Sequence, residues 1–268
     1  EIAERKSRGQ GLTRPELAVL LSYDKIKLFD QLLDSDVPED PYLSHELQRY
    51  FPEPLRGPYA AHMQRHRLKR EIIASAVTNS TINRMGATFM LRMQEDTGQG
   101  PAAIAKAFTA AREILDAREL WARIEEMDAS VDEDTQVDVM LQLWSLLRHM
   151  TRWLLNRPGG TLDIAANVER YAPVVSALRK ALPEVLTATG KADFGVSAEK
   201  WEGLGYAHDL AQRLARIPVL RAALDMVEVV QQSGQPMEKV AGVFYELGEV
   251  LDLEWLRGQI EALPVEGH

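Results

Sequence analysis

The sequence predicts an all-α protein, a multi-helix bundle of roughly ten helices. Apolar residues recur at three- and four-residue intervals along most of the 268 residues, which places them on one face of an α-helix. Proline, glycine and capping residues divide the chain into segments of helical length. No segment shows the alternation of apolar and polar residues that is typical of a β-strand.

The first long helix is predicted to start after Thr13. Thr13 and Glu16 have the spacing of a capping box, and Pro15 fits the first turn because its missing amide would have no intrahelical partner. The helix is predicted to end near Asp34. Its apolar residues at helical spacing are Leu17, Leu20, Leu21, Leu28, Leu32 and Leu33.

Shorter helices are predicted to follow as far as residue 127. Prolines at 52 and 54 separate the first two, and Gly86 suits a C-terminal cap. The predicted ranges are 45–50, 58–85, 88–93, 101–117 and 118–127.

The segment 135–156 is apolar on nearly all sides, which predicts a central core helix. Proline and two glycines follow it in the run from Arg157 to Thr161, a pattern that ends one element and starts the next. We therefore expect helical lobes at 1–157 and 158–268, or one continuous domain.

Five helices are predicted in the second lobe, at 162–187, 198–214, 218–233, 236–247 and 253–262. Pro236 suits a first turn, Gly248 a C-terminal stop, and Asp252 an N-cap.

The composition excludes several classes of function. Forty acidic against 31 basic residues give a net charge of −9, which repels a nucleic-acid backbone. The chain has no cysteine, so we expect no disulfide and no thiolate site, as in a cytoplasmic protein. No apolar run is long enough for a membrane span. The first residue is not methionine, so we expect the chain to be a segment of a longer protein.

His62 and His66 are the residues that most resemble a metal site, because two histidines one turn apart on a helix can bind zinc. Met63 stands where a zinc hydrolase needs a glutamate, and nearby basic residues would repel a cation. We therefore predict no metal, catalytic or cofactor-binding residue, although a metal-dependent hydrolase remains a hypothesis for metal analysis.

The basic residues around these histidines are the densest positive cluster in the chain. Arg56, Arg65, Arg67, Lys69 and Arg70 can form either a solvated helix face or a docking patch for an acidic partner. A group of acidic residues between Glu125 and Asp138 does not have the spacing of a calcium loop, and helix capping accounts for it. The polar residues from Thr78 to Asn83 need partners wherever they are buried.

Six segments of the sequence are recognisable as those of a known family. The first is Leu12-Thr-Arg-Pro-Glu-Leu-Ala-Val-Leu-Leu-Ser-Tyr23-Asp-Lys-Ile26. The others are Leu68–Ile73, Asn83–Phe89, Thr151–Leu155, Val243–Gly248 and Leu253–Arg257. They cover most of the chain in the expected order, and they resemble the region that follows the catalytic part of the large bacterial NAD-specific glutamate dehydrogenases.

The resemblance implies a parent enzyme that oxidatively deaminates L-glutamate to 2-oxoglutarate and reduces NAD. In that family NAD and glutamate bind upstream, so this segment is expected to be an inactive, helical C-terminal accessory region. Its expected partners are the upstream catalytic domain or other subunits of a homo-oligomer. The alternative from the residues is an independent binding module that uses the basic cluster at 56–70.

Overall fold

The computed structural model describes residues 2–128, 130–157 and 162–262, and within them it contains sixteen α-helices, two 3-10 helices and no β-strand. The all-α prediction is therefore confirmed. The first eight helices are α1 Ile2–Ser7, α2 Arg14–Leu33, α3 Ser44–Tyr50, α4 Glu53–Arg56, α5 Ala60–Met63, α6 Lys69–Met85, α7 Thr88–Thr97 and α8 Pro101–Ile114. The others are α9 Ala117–Glu125, α10 Glu133–Leu155, α11 Ile164–Ala181, α12 Ala188–Gly203, α13 His208–Ala215, α14 Ala223–Ser233, α15 Met237–Val250 and α16 Leu253–Ala262. The 3-10 helices are Val37–Glu39 and Pro218–Ala222.

The chain divides into two compact units, each made of two stretches of sequence. The first unit contains Glu1–Arg112 and Leu147–Val168, and the second contains Glu113–Leu146 and Glu169–His268. The proposed boundary at Arg157–Thr161 falls largely on residues 158–161, outside the described residues. The division into lobes at 1–157 and 158–268 stays a prediction.

The core of the first unit forms because α2, α3, α6, α7 and α8 each bury an apolar stripe. Phe89 and Phe108 meet edge to face, with ring centroids 6.0 Å apart. Other buried members are Leu28, Leu32, Leu47, Ile73, Val77, Met93 and Ile104.

The core of the second unit contains larger aromatic side chains. Trp201 and Tyr206 are buried with ring centroids 6.0 Å apart, and they join the end of α12 to the turn before α13. Other buried members are Trp121, Ile124, Leu143, Tyr171, Leu178, Leu210, Leu214 and Val227.

The predicted helix at 58–85 is wrong, because residues 64–68 separate α5 from α6. The His66 amide donates to the Met63 carbonyl three residues back, and His66 Nδ1 accepts from the Leu68 amide at 3.2 Å. A side chain that accepts a backbone amide competes with the helical ladder. Gly86 does end α6 as predicted, at φ +82°.

The predicted helix at 198–214 is also wrong, since α12 ends at Gly203 and α13 begins at His208. Gly205 lies between them at φ +102°. The start of α12 also lies earlier in the chain than predicted, at Ala188. The Thr187 hydroxyl accepts from the Gly190 amide at 3.0 Å and caps the helix there.

Two smaller differences concern α10 and the C-terminal helices. Residues 133–155 form one long helix, close to the predicted range 135–156, but Val137 and Leu141 are 48% and 57% exposed, so its first half is amphipathic. Gly248 does not end α15, which continues to Val250. Asp252 precedes α16 as expected, but at φ +51°.

Candidate interaction surfaces

The two halves of α2 differ in burial. In its second half, Leu28 and Leu32 are 3% and 0% exposed, and the helix packs against α6 and the 3-10 helix Val37–Glu39. None of the residues 14–27 is buried. The first half of α2 is therefore a regular helix without a covering element in the described part of the chain.

Six large apolar side chains are exposed on this half, and we call them the α2 surface. They are Leu17, Val19, Leu20, Leu21, Tyr23 and Ile26. Leu17 and Leu21 continue the stripe of Leu28, whereas Tyr23 and Ile26 lie on another side of the helix. A helix that is apolar on several sides is typical of a protein interior. The α2 surface therefore has the composition of a covered surface.

Local contacts determine where α2 begins. The Glu16 carboxylate accepts hydrogen bonds from the Thr13 amide and hydroxyl, both at 2.7 Å, and pairs with Arg5 at 3.0 Å. These bonds, those from Thr13 first, hold the pKa of Glu16 below its ordinary value. The Glu16 part of the predicted capping box is thus present at the start of α2.

Charged residues flank the leucines of the α2 surface. Lys27 follows Leu20 by seven residues, and Lys25 follows Leu21 by four, so a basic side chain lies beside each leucine. Asp24 lies near the middle of the stripe, where partial burial raises the pKa of its carboxyl and Lys27 opposes that shift.

A second uncovered apolar surface belongs to α15 and α16, and we call it the C-terminal surface. Its members are Val243, Leu247, Val250, Leu251, Trp255, Leu256 and Ile260. Their side chains are between 45% and 79% exposed. The N-terminal half of α15 is fixed to its own unit by buried Val240 and Ala241, and the Tyr245 hydroxyl donates to the Val219 carbonyl at 3.2 Å. Burial raises the pKa of Tyr245 well above its ordinary value.

Four of the five residues of the predicted docking patch make local contacts. Arg56 donates to the carbonyls of Phe51 and Arg49 at 2.9 and 3.2 Å. Arg65 donates to Ala61, Lys69 to Gln64, and Arg70 to the Leu33 carbonyl and to Glu39. Arg70 thereby holds the C-terminal end of α2. Arg67 is exposed, and a docking function of the five stays a prediction.

The two histidines are not placed as the zinc hypothesis requires. His62 lies in α5, whereas His66 lies in the turns before α6 and uses Nδ1 to accept the Leu68 amide. No group of three or more histidine or acidic side chains in the described residues is arranged to hold a metal ion.

The acidic and polar clusters have mainly structural contacts. Asp132 accepts from the Thr135 amide at 2.9 Å and hydroxyl at 2.7 Å at the start of α10, as capping predicts. Ser80 accepts from Arg112 at 2.6 Å, while Asn79 and Asn83 are exposed.

The sequence pattern identified the leucines of α2 but did not show that the first three are uncovered. The available signal was the apolar residues outside that stripe, Val19, Tyr23 and Ile26. Across the ranges that the structure describes, no helix is both long and apolar enough to cross a membrane.

Comparison with known proteins identifies the family. Residues 9–268 match the family described as "Glutamate dehydrogenase, C-terminal". The chain is 37% identical over all its 268 residues to the NAD-specific glutamate dehydrogenase of Pseudomonas aeruginosa. It is 35% identical over 265 residues to that of Halomonas elongata and 28% identical over 264 residues to that of Mycobacterium tuberculosis, which is 99% and 98% of this chain. It spans 16% of the length of each of these relatives. The chain therefore belongs to the family of glutamate dehydrogenase C-terminal regions.

Proposed function

We propose that this chain is a non-catalytic accessory segment of an NAD-dependent glutamate dehydrogenase and that it contributes to assembly of the full-length enzyme. The parent enzyme would deaminate L-glutamate to 2-oxoglutarate with NAD. The observation that supports an assembly function is the α2 surface, a well-formed helix with six uncovered apolar side chains.

The energetics favour a covered α2 surface in the complete enzyme. Burial of one large apolar side chain contributes about 1.5–3 kcal/mol, so burial of several outweighs the entropy of ordering a few side chains. Most protein surfaces expose large apolar side chains singly, whereas the α2 surface exposes six on one half of a helix. This chain spans 16% of the length of its relatives, and the partner proposed to cover the α2 surface is another part of the parent polypeptide or another subunit.

A catalytic function elsewhere in the parent polypeptide agrees with the fold of this segment. A dinucleotide-binding fingerprint lies at a turn from a β-strand to a helix, and the described residues contain no strand. We therefore propose that NAD and glutamate bind in the part of the enzyme that this chain does not span.

Lysine substitution on the α2 surface of the full-length enzyme tests this proposal. We expect Leu17→Lys/Leu21→Lys to lower the mass of the assembled enzyme measured by light scattering, because charges replace side chains that need a dry contact. The same change should reduce glutamate-dependent NADH formation. The isolated chain should keep its helical circular dichroism, since both residues are already exposed.

Leu91→Lys is the matched control, because Leu91 is an exposed leucine on α7 and is 58% exposed. This substitution should leave the mass of the assembled enzyme and its activity unchanged. Unaltered assembly and unaltered activity in Leu17→Lys/Leu21→Lys would contradict the proposal.

A further inference from the structure

The α2 surface and the C-terminal surface carry opposite charge. Residues 14–27 contain three basic and two acidic side chains, and the acidic Glu16 is already bound by Thr13 and Arg5. The sequence of residues 237–262 has six acidic and two basic residues, and one of the acidic residues, Glu249, is already bound by the Thr189 hydroxyl at 2.8 Å. An apolar surface with basic flanks and one with acidic flanks are complementary both in hydrophobicity and in the sign of their charge.

The charges lie beside the apolar residues rather than at a distance from them. On α15, Glu246 follows Val243 by three residues and precedes Val250 by four, and all three side chains are exposed or partly exposed. On α2, Lys27 has the corresponding place beside Leu20. Glu246 and Lys27 therefore lie at the edges of the apolar surfaces. Charges at the rim of an interface contribute to the choice of partner.

Pairing of either surface with itself is less favourable. Two C-terminal surfaces would bring together the carboxylates of Glu246 and Asp252 of both copies. Two α2 surfaces would bring together Lys25 and Lys27 of both copies. Like charges at the rim of a contact oppose association, so each surface favours the other.

We propose that the α2 surface of one copy of this chain binds the C-terminal surface of a second copy. The inference rests on the proposed assembly function and adds its partner. Such a contact joins two different surfaces, and it produces a closed ring when its rotation closes. Lys27 and Glu246 of neighbouring copies form an ion pair at the rim, while Leu17 and Leu21 pack against Leu247 and Val250.

A mixing experiment distinguishes this contact from self-pairing of either surface. One variant of the 268-residue chain carries Leu17→Lys/Leu21→Lys, and a second carries Leu247→Lys/Val250→Lys. Each variant alone should sediment as a monomer in analytical ultracentrifugation, because each lacks one half of the contact. An equimolar mixture should form a one-to-one heterodimer, since one intact surface of each kind remains.

Three outcomes would overturn the inference. A variant that self-associates alone would show that like surfaces pair. A mixture that stays monomeric would show that the two surfaces do not bind each other. A monomeric unsubstituted chain would also show that the two surfaces do not bind each other. Val196→Lys is the control, because Val196 is 68% exposed on α12, outside both surfaces, and its substitution should leave association unchanged.

A charge exchange tests the rim contact in the full-length enzyme. Lys27→Glu and Glu246→Lys should each weaken subunit association about fivefold, the size of one exposed ion pair, and the double variant should recover it. In one outcome, Leu17→Lys/Leu21→Lys disrupts assembly of the enzyme, although the mixture forms no heterodimer and the double charge variant recovers no association. In that case the assembly function stands and this partner is wrong.

Discussion

Arg112 Nη2 donates to Glu46 Oε1 at 2.9 Å in the interior of the first unit, where the two residues are 1% and 9% exposed. Arg112 Nη1 also donates to Ser80 at 2.6 Å, and the guanidinium lies 5.9 Å from the centre of the Phe108 ring. One side chain of α8 thus connects α3 and α6. Because a buried charge is costly without its partner, this pair holds the three helices in one arrangement.

Replacement of Arg112 should therefore destabilise the chain strongly. We expect Arg112→Met to lower the free energy of unfolding by about 3–5 kcal/mol, because the Glu46 carboxylate remains buried without its guanidinium. Urea unfolding measures the loss. Arg49→Met is the control: Arg49 reaches the same carboxylate at 3.6 Å but is half exposed, so its loss should cost less than about 1 kcal/mol. Equal losses of unfolding free energy in Arg112→Met and Arg49→Met would contradict this distinction between the buried and the exposed arginine.

A second, partly buried contact lies in the other unit, where the Tyr171 hydroxyl donates to the Glu228 carboxylate. Arg170 pairs with the same carboxylate at 2.9 Å. Tyr171→Phe should cost about 1.5–3 kcal/mol, because it removes a hydrogen bond to a charged acceptor. Tyr50→Phe, at a tyrosine that is 67% exposed, should have little effect in the same unfolding experiment.

Two glycines should respond in opposite directions to alanine. Gly205 has φ +102°, and a Cβ there would lie 3.3 Å from the Ser130 carbonyl oxygen, so Gly205→Ala should destabilise by about 1–3 kcal/mol. Gly195 lies inside α12, and a Cβ there would meet no atom within 4 Å, so Gly195→Ala should stabilise by about 0.5–1 kcal/mol. Thermal unfolding of both variants would check the signs, and a stable Gly205→Ala would show that the turn adjusts freely.

Stability should fall in acid partly through Asp132. The Thr135 hydroxyl and amide hold the pKa of its carboxyl below the ordinary 3.8. A lowered pKa in the folded state contributes stability that is present above the unfolded value and is lost as the pH falls through the folded one. Asp132→Asn should therefore flatten the dependence of melting temperature on pH below about pH 4. Thr135→Val should flatten it less, since the amide remains, and an unchanged slope in both would refute the assignment.

Local patterns were sufficient for some elements of the fold. The contact of Glu16 with Thr13 and the stop at Gly86 depend on residues within one turn of each other, and both occur as predicted. The break before α6 depends on the side chain of His66, which accepts a backbone amide in place of a helical carbonyl. Apolar periodicity does not report such competition, and the helix was therefore predicted too long.

The buried pair and the uncovered surfaces depend on tertiary structure. Glu46 and Arg112 are 66 residues apart, and nothing in their local sequence distinguishes them from surface charges. The leucines of α2 have one helical spacing throughout, yet Leu28 is covered and Leu17 is not. Periodicity gives the side of a helix that prefers burial, whereas the covering element comes from distant parts of the chain or from another chain.

The uncovered half of α2 also has a practical consequence for handling the isolated chain. Sulfate and other salts that are excluded from protein surfaces strengthen apolar contacts, so salting-out should drive its molecules together through α2. Low concentrations of urea weaken the same contacts, and they should disperse such clusters before the buried cores unfold. Concentration for crystallisation should therefore begin from a buffer without sulfate.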